Sequence, residues 1–224
     1  MGIAHRRVVA QTLRAYQSTV EQHCDQAREE TMALIDFRTP AAGFDQPLEL
    51  WLACHDRVRR MASLLERLHE HMQDKGADDA AQVTATSIRR YFDEAAPRHH
   101  EDEEVDLFPL LRRLLPQKAP ADEAKVTAAL GQLEYEHVEL GKLWQEVRAT
   151  LLAIEAGQPA SLDPGLVQRF ASGYQQHCEL EDTVVADALK RCLRDVDLDA
   201  LGQSMAERRG VDWTHLHSSR NGGR

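Results

Sequence analysis

Residues 130–154 read LGQLEYEHVELGKLWQEVRATLLAI, and along them Leu130, Leu133, His137, Leu140, Trp144, Val147, Leu151 and Ile154 recur at alternating steps of three and four. That spacing is the period of an α-helix with one apolar face. The only polar member of the face is His137. The same period extends this helix over about 122–156 and reappears on both sides of it. Over 47–73 the stripe is Trp51, His55, Val58, Ala62, Leu65 and Met72, and over 163–192 it is Leu166, Phe170, Gly173, His177, Glu181, Val184 and Ala188. A further helical stretch runs over about 79–115. Pro40 and Pro47, Pro116 and Pro120, and Pro159 and Pro164 flank short polar stretches between these segments, as helix-ending signals do.

Four amphipathic helices with short connections imply an all-α, antiparallel up-down-up-down four-helix bundle over 47–194, because short loops make sequential helices neighbours. Ahead of it, Val9, Leu13, Tyr16, Val20, Ala27 and Leu34 predict an additional N-terminal accessory helix and linker over 1–39. That helix needs an apolar face to cover, in its own bundle or in a second subunit of a homodimer. Residues 195–224 read as a partly irregular C-terminal tail that ends SSRNGGR, with Trp213 to dock it.

The 224 residues carry 37 acids against 27 bases, a formal charge of -10. Excess acid argues against a nucleic-acid partner, since phosphate binding needs a basic face. No stretch approaches the roughly 20 apolar residues needed to span a bilayer, so no membrane partner is expected. Four cysteines without a C-x-x-C pair are not a disulfide scaffold and fit a reducing cytoplasm. Phosphate-cradling loops and the G-x-S-x-G elbow are absent. The informative residues among the rest are the 11 histidines.

Each bundle helix places a histidine on its inward stripe: His55, His99 or His100, His137 and His177. Two are followed four residues later by glutamate, and an i,i+4 pair shares one helical face. An inward glutamate without a partner costs several kcal/mol or protonates, a problem that a cation removes. Imidazole and carboxylate together suit iron, manganese or zinc. The run RHHEDEE holds both His99-x-x-x-Glu103 and His100-x-x-x-Glu104. The second pair continues through Leu107, Leu111 and Leu114 and is the register chosen, although Ile88 and Phe92 lie nearer the His99 phase and Pro97 interrupts extrapolation from upstream. His69, His71, His215 and His217 form H-x-H pairs, which face apart on a helix and read as solvated. Cys54 and Cys178 read as small hydrophobes beside the inward histidines, and Gly141 as either a gap beside His137 or a point of close packing.

One histidine, then H-x-x-x-E, then one histidine, then H-x-x-x-E, one element per helix, resembles the hemerythrin-like HHE cation-binding domains. The residues that carry the resemblance are LWLACHDRVRR (50–60), RYFDEAAPRHHEDEEVDLFPLL (90–111), LEYEHVELGKLW (133–144) and QQHCELEDTVV (175–185). The resemblance implies two iron ions in a non-haem di-iron centre, with His55, His100, His137 and His177 as terminal ligands and Glu104 and Glu181 bridging. Zinc and manganese are the substitutes. Oxygen-carrying hemerythrins have a second histidine four residues after the third-helix ligand, where this chain has Gly141. They bridge with an aspartate five residues beyond the last histidine, which would be Asp182, but Glu181 stays on the apolar line. The four-histidine, two-glutamate set is closer to di-iron proteins of nitric-oxide response and iron–sulfur repair. Nothing before Pro40 resembles the cysteine-bearing domain that those usually carry. The function expected is binding of, or reaction with, O2, NO or peroxide at an open iron position. The alternatives are an iron store or donor without redox turnover, and a zinc-filled structural bundle.

Overall fold

The computed structural model describes residues 42–213, and the expected accessory helix over 1–39 and the residues after 213 lie outside them. Helix α1 is Pro47–Lys75, with Pro47 in its first turn, where a missing N–H costs nothing. Helix α2 is a continuous run of Asp79–Arg90, Ala96–Glu101 and Phe108–Lys118, joined by π-helical turns at Tyr91–Ala95 and Asp102–Leu107. Helix α3 is Glu123–Glu155. Helix α4 joins Pro164–Leu180 to Ala186–Cys192 through a third π turn, Glu181–Val185. Asp78 and Asp163 cap α2 and α4, accepting from the backbone N–H of Ala81 at 2.9 Å and Leu166 at 2.6 Å. The described residues contain no strand.

The four long helices match the expected ones to within a few residues, but the region after them differs. Asp195–Arg208 forms a fifth helix, α5, where the sequence reads as an irregular tail. It buries Leu201, Met205 and Ala206 and packs on α1 and the second π turn of α2. Three apolar anchors in 14 residues make too short a stripe to announce an amphipathic helix. Capping and ion pairing supply the rest: the Arg194 backbone N–H donates to Asp197, and Arg208 and Arg209 pair with Asp102.

Both π turns of α2 precede a proline, Pro97 or Pro109, at the start of the next α-helical segment. Proline cannot give the i→i−4 hydrogen bond, and a wider turn just upstream absorbs the defect without breaking the helix. In α4 the Thr183 hydroxyl donates back to the Glu179 carbonyl at 2.6 Å within the π turn. Each extra residue shifts the helix phase. As a result Phe92, Ala96, His99, Glu103, Leu107, Leu111 and Leu115 form one buried line, mostly at steps of four.

The bundle interior has two apolar cores. One gathers Val58, Leu65 and Leu68 of α1, Ala85, Ile88 and Phe92 of α2, Leu140 to Ile154 of α3, and Phe170 and Tyr174 of α4. The other gathers Trp51, Leu107, Leu111, Leu115, Leu130, Leu133, Val185 and Leu189. Early residues of α1 thus meet late residues of α2 and early residues of α3, as antiparallel packing requires. Between the cores, at one depth on every helix, lies a buried layer of histidine and glutamate. Leu111 is fully buried in the second core, and Leu111→Ala is expected to cost about 2–5 kcal/mol of unfolding free energy, read by denaturant titration.

Candidate metal centre

The layer contains His55 from α1, His99, His100 and Glu103 from α2, His137 from α3, and His177 and Glu181 from α4. Their ligand atoms form two groups, each with all its atoms within 4.8 Å of one another. One group is His100, Glu103, His137 and His177, and the other is His55, His99, Glu103 and Glu181. Glu103 belongs to both. Its Oε1 lies 3.1 Å from His99 Nε2 and 3.9 Å from His55 Nε2, and its Oε2 lies 3.3 Å from His137 Nε2. Glu181 Oε2 also spans the layer, 3.4 Å from His55 Nε2 and 3.5 Å from His177 Nε2.

Of the six residues chosen from the sequence, the structure brings His55, His100, His137, His177 and Glu181 together. Glu104 lies apart from them: it is 46% exposed at the rim, where Oε1 lies 2.6 Å from His137 Nδ1. The reason is the π turn at Asp102–Leu107, across which a uniform 3.6-residue period is carried wrongly by one position. The structure also brings in His99 and Glu103, the alternative pair, on the line that Ile88 and Phe92 begin upstream. Asp182 likewise faces out of the layer.

The outer ring of the layer is acidic. His55 Nδ1 lies 2.7 Å from Asp182 Oδ1, itself paired with Arg59, and His177 Nδ1 lies 3.0 Å from Glu136 Oε2. With Glu104 on His137, three imidazoles have Nδ1 against a carboxylate, so Nδ1 carries the proton and the Nε2 lone pair points inward. Trp51 Nε1 donates to Glu103 Oε1 at 2.6 Å and aims that carboxylate.

These residues fit a cation, and their own interactions leave the fit conspicuous. His55 Nε2, His100 Nε2, Glu103 Oε2 and both oxygens of Glu181 are buried without a hydrogen-bond partner. His137 Nε2 and His177 Nε2 face each other at 3.1 Å, two lone pairs in opposition once each Nδ1–H is given to its carboxylate. Burial pushes His99 down to about 3 and holds His177 below its usual range, which keeps both neutral. Burial also acts to raise Glu103, but a proton on the facing imidazoles of His99, His137 or His55 outweighs it and holds its carboxyl well below the usual range when no cation is bound. Glu181 is driven well above that range by burial and by the charge of Glu103. A cation beside both carboxylates removes the conflict.

Neighbouring groups take simpler roles. Burial pushes the Cys54 thiol up to about 11 and raises Cys178 further, so both stay protonated and unreactive. Gly141 is exposed, and a Cβ there would meet nothing within 4 Å, so it neither opens the layer nor packs a helix. His71 Nε2 lies 2.9 Å from Asp78 Oδ1 at the α1–α2 connection, away from the centre. Trp51→Phe, which keeps the apolar packing but frees Glu103, is expected to weaken metal binding about 10–100-fold, measured by competition with a chromophoric chelator.

Fold and site together define a helical bundle with a metal-binding layer of histidine and glutamate across its middle. Residues 46–189 match the hemerythrin HHE cation-binding domain, and the chain belongs to that family. It is also 31% identical over 170 residues to a Haemophilus influenzae protein described as uncharacterized, a match covering 76% of this chain and 94% of the relative. No helix among the described residues is long and apolar enough to cross a membrane.

Proposed function

We propose that the protein holds two iron ions in the buried layer and uses them to bind or react with a small ligand, O2, NO or peroxide. The observation that carries this reading is the sharing of Glu103 by two adjacent groups of inward nitrogen and oxygen atoms. His100, His137 and His177 would hold one ion and His55 and His99 the other, with Glu103 and Glu181 between them. When bound, a pair of redox-active ions supplies electrons and an electrophilic binding position for such a ligand.

The chain's own residues set the conditions. Asp182, Glu104 and Glu136 orient three imidazoles with Nδ1 outward, so that Nε2 is the donor atom facing the layer. The two apolar cores exclude bulk water from the layer and strengthen every interaction inside it. Two glutamates against two divalent ions leave the pocket positive, which favours anionic and electron-rich ligands within an acidic exterior.

Anaerobic loading with ferrous iron, followed by separate additions of O2, NO and hydrogen peroxide, tests the reading. A new near-ultraviolet or visible absorption band with at least one of them, at about two irons per chain, is the expected outcome. Iron retained with no spectral response to any of the three would instead make the protein a store or donor. Zinc retained in stoichiometric preference to iron would leave a structural bundle.

A further inference from the structure

We propose that Arg208 and Arg209, at the end of α5, are positioning residues that select Glu103 for the metal layer; this rests on the metal-binding reading above. Glu103 lies between Asp102 and Asp106 in the π turn, and both aspartates are held from outside the bundle by α5. Asp102, with a side chain 3% exposed, pairs with Arg208 and receives Arg209 at 2.6 Å and 3.1 Å. Asp106 Oδ2 accepts from Arg208 at 2.8 Å and from the Ser204 hydroxyl at 2.8 Å. Arg208 therefore spans the first turn of the segment, clamping residues four apart on either side of Glu103.

The clamp sits where the backbone has two competing phases. The π-helix is rare and occurs mostly as single turns inserted into α-helices, often at functional sites. Carried through as uniform α-helix, the period would put Glu104, not Glu103, one turn from His100. Adjacent glutamates thus make the register of this turn the determinant of which carboxylate enters. Fixing Asp102 and Asp106 to α5 holds the wide turn, and Trp51 receives the carboxylate that it delivers.

The test uses the full-length chain freed of metal and titrated with Co2+, whose visible ligand-field spectrum reports its donors. Arg208→Gln combined with Arg209→Gln is expected to keep the helical circular dichroism, lower Co2+ affinity at least tenfold and alter the ligand-field bands. Lys at both positions should recover most of that loss. Asp102→Asn provides a second variant of the same clamp with minimal change of shape. Leu201→Ala, which removes an apolar anchor of α5 but keeps both arginines, should lower stability while costing much less Co2+ affinity than the arginine variants. Unchanged Co2+ binding in the arginine variants, with two Co2+ bound by the wild type, would overturn the positioning role alone. Equal losses in Leu201→Ala and the arginine variants would overturn it too, and failure of the wild type to bind Co2+ would overturn both this role and the metal-binding reading.

Discussion

Replacing Glu103 with glutamine is expected to empty both metal positions, from about two ions per chain to well under one, while Glu104→Gln keeps most of the metal. Two features make the difference large. Glu103 supplies an oxygen to each group of ligand atoms, so its loss removes a donor from both at once. It is also fully buried, so the amide that replaces it can neither balance charge nor be rescued by water. Glu104 meets only the outer nitrogen of His137 at the solvent rim, and its removal should weaken retention about 10–100-fold. Metal analysis after desalting separates the two variants. Loss of metal from Glu104→Gln with retention by Glu103→Gln would mean that the layer is built in the other register.

Removing the metal should lower the melting temperature by roughly 10 °C. Ligand present at about a thousand times its dissociation constant stabilises a fold by about 4 kcal/mol, and each kcal/mol moves a domain of this size by about 2–4 °C. The structural cause is the layer itself. Without a cation, Glu181 must take up a proton in a site where neither of its oxygens has a partner, and His137 and His177 present opposed lone pairs. Circular dichroism melts before and after dialysis against a chelator, then after restoring ferrous iron, measure the change. Identical melts in all three states would show that the layer is self-sufficient without metal.

The bundle was legible because apolar periodicity is strong in long, uniform helices such as α3, where the stripe from Leu130 to Ile154 never slips. His55, His137, His177 and Glu181, which the same period puts inward, are buried. The second helix was not legible in this way, because its period is interrupted twice. A pattern carried back from Leu107, Leu111 and Leu114 by steps of 3.6 lands on Glu104, but the extra residue of the π turn brings in Glu103 and leaves His99 and His100 both contributing. Pro97 and Pro109 each mark one of the interruptions. Helix α5 was hidden for a different reason: its stability lies in ion pairs to Asp102 and Asp106, more than 90 residues away in the chain, which no local pattern displays.

The most direct measurement of the central claim is X-ray absorption at the iron edge on wild-type protein loaded anaerobically and freed of excess iron. Two irons per chain, nitrogen and oxygen donors, and an iron neighbour at about 3.5–4 Å are the predicted result. A single iron per chain, or two irons with no iron neighbour at that distance, would contradict a pair of metals sharing Glu103.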